Sequence, residues 1–317
     1  MIHTKRNTLL ILLRNATAYA DIIHAADLPD LKIRAFKTVE DALSSADEAN
    51  ILLGEPDLLR EILPATGRLE WAQSTWAGVA PLMGKDFRRD YLLTGVQDVF
   101  GPIMAEYVLC YMLMHERNVL QCYALQQKKQ WKMPKPGLLG GKRVGIMGVG
   151  SIGTAIAESA NFFNMLTSGY SRTRNPRTSV DQMFGPEQLL EFVRDLDYLV
   201  SVLPDTSSTT HLIDSTVLKA MKPEAVLINV GRGNVVDEDA LVNALNRKEI
   251  AGAVLDVFQQ EPLPQAHPFW KTAGLIITSH KAALSSPEDI APLFIGNYRR
   301  FAAGNPLKYQ VDFTRGY

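Results

Sequence analysis

The chain has 317 residues and a mass of 35.1 kDa, enough for about two domains of ordinary size. Hydrophobic residues make up 46% and charged ones 21%, which excludes a disordered chain and leaves material for a sizeable core. With 33 Lys and Arg against 34 Asp and Glu the formal charge is −1, so the balance gives no support to a general nucleic-acid binder.

At the N-terminus Lys5 and Arg6 precede the apolar run Leu9–Leu13, which stops at Arg14. That run is shorter than the roughly 7–15 residues of a signal-peptide core, and it reads as a buried β-strand. No stretch approaches the roughly twenty apolar residues of a membrane span. Further strands are expected at Lys32–Phe36, Asn50–Leu53, Leu69–Ser74 and Tyr91–Thr94, with helical spacing in Val39–Ala46 and Pro56–Leu63. Such alternation predicts a parallel sheet covered on both faces.

Gly101-Pro102 then opens a segment without Gly or Pro up to about Gln130. Read as one helix it is about 40 Å long, suited to bridging domains or forming a subunit interface. The two cysteines, Cys110 and Cys122, fall inside it roughly 18 Å apart, beyond bridging distance. They are too few for a disulfide scaffold, so a reducing cytoplasm is the expected setting. After the Pro134–Gly137 loop, strands are expected at Val144–Met147, Met165–Tyr170, Tyr198–Leu203, Ala225–Val230, Ala251–Val257 and Leu275–Thr278. A last helix is expected near Pro287–Ala303.

Two groups of residues carry chemistry. Gly148-Val149-Gly150-Ser151-Ile152-Gly153 follows a strand and opens a helix, the setting in which G-x-G-x-x-G marks a dinucleotide site. The pyrophosphate would rest on the free N–H groups of the helix N-terminus. After the next strand an NAD site usually has an acid for the ribose hydroxyls; Ser171, Arg172 and Arg174 stand there instead, as a 2′-phosphate requires. NADPH is therefore the expected cofactor, with NADH a weaker alternative. Separately, Arg232, Glu261 and His280 each follow a predicted strand, and in an open parallel sheet ligands bind outside the carboxyl ends of strands.

These runs, with Leu203-Pro204-Asp205-Thr206-Ser207-Ser208-Thr209-Thr210-His211-Leu212-Ile213, Asn229-Val230-Gly231-Arg232-Gly233, Asp256–Pro264 and Ser279-His280-Lys281-Ala282-Ala283, resemble the D-2-hydroxyacid dehydrogenases. The resemblance spans the chain and is nearest to the bacterial glyoxylate/hydroxypyruvate reductases, down to the closing Asp312-Phe313-Thr314-Arg315-Gly316-Tyr317. It implies an α/β fold of two Rossmann-like, doubly wound parallel-sheet domains with the active site in the cleft between them. Residues 1–100 plus 285–317 would form a flavodoxin-like substrate domain and residues 101–284 the NAD(P)-binding domain.

The resemblance also implies roles. His280 would be the general acid for a small 2-keto acid, Glu261 would orient it, and Arg232 would hold the substrate's carboxylate and carbonyl. Leu203, Pro204, Thr209, Val230, Gly231 and Asp256 would line the cofactor site, with Met104 a candidate neighbour of the nicotinamide. Trp76-Ala77-Gly78-Val79 would hold the carboxylate through backbone N–H groups, and no metal is expected. A homodimer is implied, with neither nucleic acid nor membrane as partner. The sequence departs from the family at Trp76 and Ala80, where a small and a polar residue are usual, and at Lys281, expected to point outward. Two other readings stay open: a dehydrogenase for a larger 2-keto acid, and a dinucleotide-sensing corepressor.

Overall fold

The computed structural model describes residues 6–84, 86–173 and 178–314. The chain divides into two compact units, Met1–Val99 with Ser285–Tyr317, and Phe100–Leu284.

The first unit begins with β1 (Asn7–Leu12), α1 (Ala16–Ala25), β2 (Leu31–Phe36), α2 (Val39–Ala46), β3 (Ile51–Gly54) and α3 (Pro56–Ile62), followed by β4 (Trp71–Ser74) and β5 (Leu92–Thr94). The sheet order is β2-β1-β3-β4-β5 and every pair is parallel. Strands covered by helices on both faces need no polar side, which is why Leu9, Leu10, Ile11 and Leu12 are all fully buried.

The second unit opens with α4 (Gly101–Glu116) and α5 (Val119–Gln127). This corrects the single helix expected over this stretch. Arg117 closes α4, and Asn118 adopts the left-handed conformation with φ 52° and ψ 37°. Asn tolerates that conformation better than most residues, and here its side chain also donates to the Lys135 carbonyl at 2.9 Å. The 16 residues of α4 span about 24 Å.

Next come β6 (Arg143–Met147), α6 (Ser151–Phe162), β7 (Leu166–Tyr170), β8 (Gln182–Phe184), α7 (Leu189–Val193), β9 (Tyr198–Ser201), α8 (Ser215–Ala220), β10 (Val226–Asn229), α9 (Glu238–Asn246), β11 (Gly252–Leu255) and β12 (Leu275–Ile277). Short β8 carried no signal strong enough to be expected. The parallel order β12-β11-β10-β9-β6-β7-β8 is that of a Rossmann fold, with its reversal between β6 and β9. In open sheets of this kind ligands bind at that reversal. Helix α4 packs on α6 through Ala105, Val108 and Met112 against Ile156, Ala157 and Ala160.

The chain then returns to the first unit as α10 (Pro287–Ala302), capped by Ser286, whose Oγ accepts the Asp289 N–H at 3.1 Å. Its Phe294 ring stacks on Trp71 of β4 at 5.0 Å, and the Tyr298 hydroxyl donates to the Pro29 carbonyl at 2.7 Å. No helix among the described residues is long and apolar enough to cross a membrane.

Candidate functional site

The Gly-rich turn joins β6 to α6. Gly148 has φ +97°, a conformation that a side chain would strain. Gly153 lies so close to the turn that an added Cβ would stand 2.1 Å from the Gly148 carbonyl oxygen. Gly150 is the N-cap of α6, has no side-chain cap, and faces open space. The N–H groups of Gly150, Ser151 and Ile152 take no acceptor among the described residues. A helix start left uncapped in this way fits an anionic group. Val149 is buried and Ile152 half-buried in the apolar core, so both offer the site backbone alone.

Around this turn, Val230 continues β10 and donates to the Ser201 carbonyl at 3.0 Å, which brings the ends of β9 and β10 together beside Leu203. Leu203 and Gly231 are buried while Pro204 is exposed. The Thr209 hydroxyl is engaged within its own loop, donating to the carbonyl of Pro204 at 2.7 Å and accepting the Thr206 N–H at 2.9 Å. It braces that loop. Ser171 is half-buried and Arg172 exposed just past β7, whereas Arg174 lies outside the described residues. So do Arg315, Gly316 and Tyr317 of the closing segment.

Strands β10, β11 and β12 are neighbours, so the loops after them share one edge of the sheet. Arg232 follows β10 in a turn held by buried Asn229, whose Oδ1 accepts the Gly231 N–H at 3.2 Å and whose Nδ2 donates to the Arg232 carbonyl at 3.0 Å. Gly233 then rests on the loop after β11; an added Cβ would meet the Phe258 backbone at 1.9 Å. Only glycine lets these two loops approach so closely. Glu261 stands in the second loop, with Oε1 accepting the Phe258 N–H at 2.9 Å. Its Oε2 lies 2.7 Å from Nδ1 of His280, which follows β12.

The three groups tune one another. The hydrogen bond to Glu261 lifts His280 above the ordinary imidazole value, against burial. Burial pushes the Glu261 carboxyl up, yet the bonds from His280 and Phe258 and the charges of His280 and Arg232 hold it below the usual range. Burial pulls Arg232 down, opposed by Glu261 and Asp205. The arrangement favours an imidazolium–carboxylate pair beside a half-buried guanidinium. With Nδ1 turned to Glu261, Nε2 of His280 is left to serve as a proton donor or acceptor.

Other expected residues divide. Met104 packs against the apolar core. Lys281 is exposed, in keeping with an outward side chain. Asp256, expected at the cofactor, is 2% exposed and directs its carboxylate at the turn after β12. In the first unit, the Trp76 N–H is already taken by the Ser74 hydroxyl at 2.9 Å, while those of Ala77 and Gly78 take no acceptor among the described residues. Trp76 itself is 38% exposed. Tyr107 and Thr278, which the sequence reading gave no role, join this site through Asp256. A hydroxyl at a strand end is too common to have flagged Thr278.

Residues 109–282 match the family described as D-isomer specific 2-hydroxyacid dehydrogenase, NAD binding domain. Glyoxylate/hydroxypyruvate reductase A of Serratia proteamaculans is 32% identical over 299 residues, covering 92% of this chain and 93% of that protein. Among solved structures, a D-isomer specific 2-hydroxyacid dehydrogenase family protein from Aeromonas salmonicida matches with TM-score 0.94 and 40% identity, over 98% of this chain and all of that one. An NADPH-dependent glyoxylate/hydroxypyruvate reductase from Sinorhizobium meliloti, solved with NADP and sulfate, matches with TM-score 0.86 and 25% identity, covering 98% of this chain and 100% of that one.

Proposed function

The chain belongs to the D-isomer specific 2-hydroxyacid dehydrogenases and is an oxidoreductase that uses a nicotinamide dinucleotide; on that premise we propose that it reduces glyoxylate and hydroxypyruvate with NADPH. One observation carries the reading: the 2.7 Å pair of His280 Nδ1 and Glu261 Oε2, at one sheet edge with Arg232.

Bound at the Gly148–Gly153 turn, the dinucleotide supplies the hydride. His280 gives the proton from Nε2 to the carbonyl oxygen as negative charge grows there, and takes it back in the oxidation. Glu261 fixes the imidazole tautomer and favours imidazolium. Arg232 presents a planar fork of donors to the substrate carboxylate and carbonyl. The loop of Trp76, Ala77 and Gly78 contributes two free N–H groups, from Ala77 and Gly78, for a carboxylate. The unit that contains this loop is proposed as the substrate domain and the other, which also carries Arg232, as the cofactor-binding domain. Val149, Ile152, Leu203, Pro204, Val230 and Gly231 shape the cofactor site, and Ser171, Arg172 and Arg174 select the 2′-phosphate.

The protein is also proposed to act as a homodimer in the cytoplasm. Helix α5 buries none of its residues, and Leu120, Tyr123 and Trp131 are exposed at 54%, 61% and 104%. A second copy would cover that face. Cys110 and Cys122 are free thiols, which accords with a reducing compartment.

A spectrophotometric panel of glyoxylate, hydroxypyruvate and larger 2-keto acids, each with NADPH and with NADH, tests the reading. Fastest turnover with the two small acids and NADPH is expected. A folded sample that oxidises neither cofactor with any 2-keto acid would overturn it and leave a dinucleotide-sensing role.

A further inference from the structure

The chain has four tryptophans, and three of them have an evident setting. Trp71 is fully buried, stacks on Phe294 and donates its indole N–H to the Thr94 hydroxyl at 2.8 Å. Trp270 donates to the Pro264 carbonyl at 2.8 Å, and Trp131 stands wholly in solvent. Trp76 is different. It is more than half covered, yet among the described residues its ring meets no other aromatic ring and its Nε1 has no acceptor. An indole is apolar over its faces and carries one donor at its edge, so a Trp left in this state offers both a wall and a hydrogen bond.

The backbone beneath it is fixed. Ser74, fully buried at the end of β4, uses one hydroxyl to accept the Trp76 N–H and to donate to the Trp76 carbonyl, both at 2.9 Å. Thr75 is buried; its N–H donates to the Gly54 carbonyl at 2.9 Å and its carbonyl accepts the Ser285 hydroxyl at 2.6 Å. On the far side Val79 is buried again, and its carbonyl accepts the Leu82 N–H at 2.9 Å. Residues 76–78 thus form a bend pinned at both ends, with both backbone groups of Trp76 engaged. Such a loop holds its shape before a ligand arrives, so binding costs little ordering entropy. Among the described residues it keeps three unengaged N–H donors: those of Ala77 and Gly78 and the indole of Trp76.

We propose that Trp76 determines which 2-keto acids this loop accepts: its ring limits the substituent on the keto carbon to hydrogen or a hydroxymethyl group, and Nε1 donates to the hydroxyl of the latter. This rests on the placement of the substrate carboxylate at Ala77 and Gly78 given above. A carboxylate on those two N–H groups lies beside the residue that precedes them, and an indole is as long as a three-carbon acid. Glyoxylate has only hydrogen on that carbon and hydroxypyruvate a CH₂OH group, so both fit beside the ring. A longer or branched chain meets the ring and brings no oxygen for Nε1. A small residue is usual at this position in the family, so the narrowing belongs to this chain.

Trp76→Phe keeps a ring and removes the donor. The ratio of kcat/KM for hydroxypyruvate to that for glyoxylate is expected to fall about 3- to 10-fold, the scale of one neutral hydrogen bond. Trp76→Ala removes the wall as well. The ratio for 2-oxobutyrate or 2-oxoisovalerate to glyoxylate should rise about 10- to 100-fold, the scale on which a pocket discriminates a methylene or two. A merely structural role would lower kcat/KM for every acid in proportion and leave both ratios where they were. Thermal unfolding checks the fold of each variant, and Trp76→Phe carries the test if the alanine variant does not fold.

Calorimetric titration of the NADPH complex with glycolate and with D-glycerate reads the same contact without turnover. D-Glycerate carries the hydroxymethyl group and should bind the parent more tightly; Trp76→Phe should narrow the gap. If the parent reduced no 2-keto acid but this gap was present and narrowed, the reductase reading would fail and the role of Trp76 would stand. If the parent reduces glyoxylate and hydroxypyruvate and both variants keep its ratios, the proposal is overturned.

Discussion

Replacing Gly150 with alanine separates the fold of the nucleotide unit from its ligand. The backbone at Gly150 has φ −88° and ψ −157°, extended values open to any residue, and an added Cβ meets nothing within 4 Å. Alanine there restricts the unfolded chain without straining the folded one, a gain of about 0.4–1 kcal/mol. At this size of unit, that leaves the Tm unchanged or raises it by about 1–4 °C. The space the methyl enters is the space in front of the uncapped α6 N-terminus, where the pyrophosphate is proposed to lie. Pushing one charge-assisted N–H···O bond out of reach costs about 1.5–3 kcal/mol, or roughly 10- to 150-fold in Kd. Gly153→Ala is the contrast: its Cβ would stand 2.1 Å from the Gly148 carbonyl oxygen, and main chain has little room to yield. That variant should lose about 1–3 kcal/mol of stability along with its cofactor affinity. Calorimetric titration with NADPH and thermal unfolding of the same samples measure both quantities. A Gly150→Ala protein that binds NADPH as tightly as the parent would show that the dinucleotide does not cross this turn.

Removing the proposed acid with His280→Ala should lower the rate of reduction by about 10²-fold or more, read in a steady-state assay with glyoxylate. Reduction needs His280 protonated, so its rate should fall as pH rises through that group's pKa. Glu261 raises that pKa, so Glu261→Gln should shift the falling limb to lower pH, and an unchanged profile would remove Glu261 from the role. Arg172→Asp should lower kcat/KM with NADPH by about 30- to 150-fold relative to NADH, since it adds repulsion to lost attraction; equal losses with both cofactors would refute the 2′-phosphate contact. Light scattering at micromolar concentration should give twice the chain mass, and Leu120→Glu with Tyr123→Glu should halve it; a monomeric parent would refute the proposed role of α5.

The strands were legible because a parallel strand is buried on both faces. Leu9–Leu12 and Tyr198–Ser201 need no polar alternation, so they read as continuous apolar runs bounded by turns. The positions of Arg232, Glu261 and His280 were legible for a related reason: each follows such a run, and adjacent parallel strands end at the same edge. The break between α4 and α5 was not. Helical composition continues across Asn118, and the left-handed kink there depends on the Lys135 carbonyl, seventeen residues away.

Side-chain allocation was the part that pattern did not carry. The motif positions of Thr209 and Asp256 mark both as polar groups near a cofactor, which is as far as position reaches. What their oxygens do is decided by the hydrogen-bond partners that the folded chain brings near. For Thr209 these are its own loop's N–H and carbonyl groups; for Asp256 they lie more than twenty residues downstream. The Trp76 N–H is likewise taken by a hydroxyl two residues before it. A buried polar atom must be satisfied, and the nearest partner wins over the one a motif suggests. Residues proposed to meet ligand thus stand where strand ends leave them, while those that hold their surroundings are found by asking where each buried hydrogen bond goes. Thr278 and Tyr107 are found in this way: the Tyr107 hydroxyl meets that of Thr278, which donates to the buried Asp256 carboxylate.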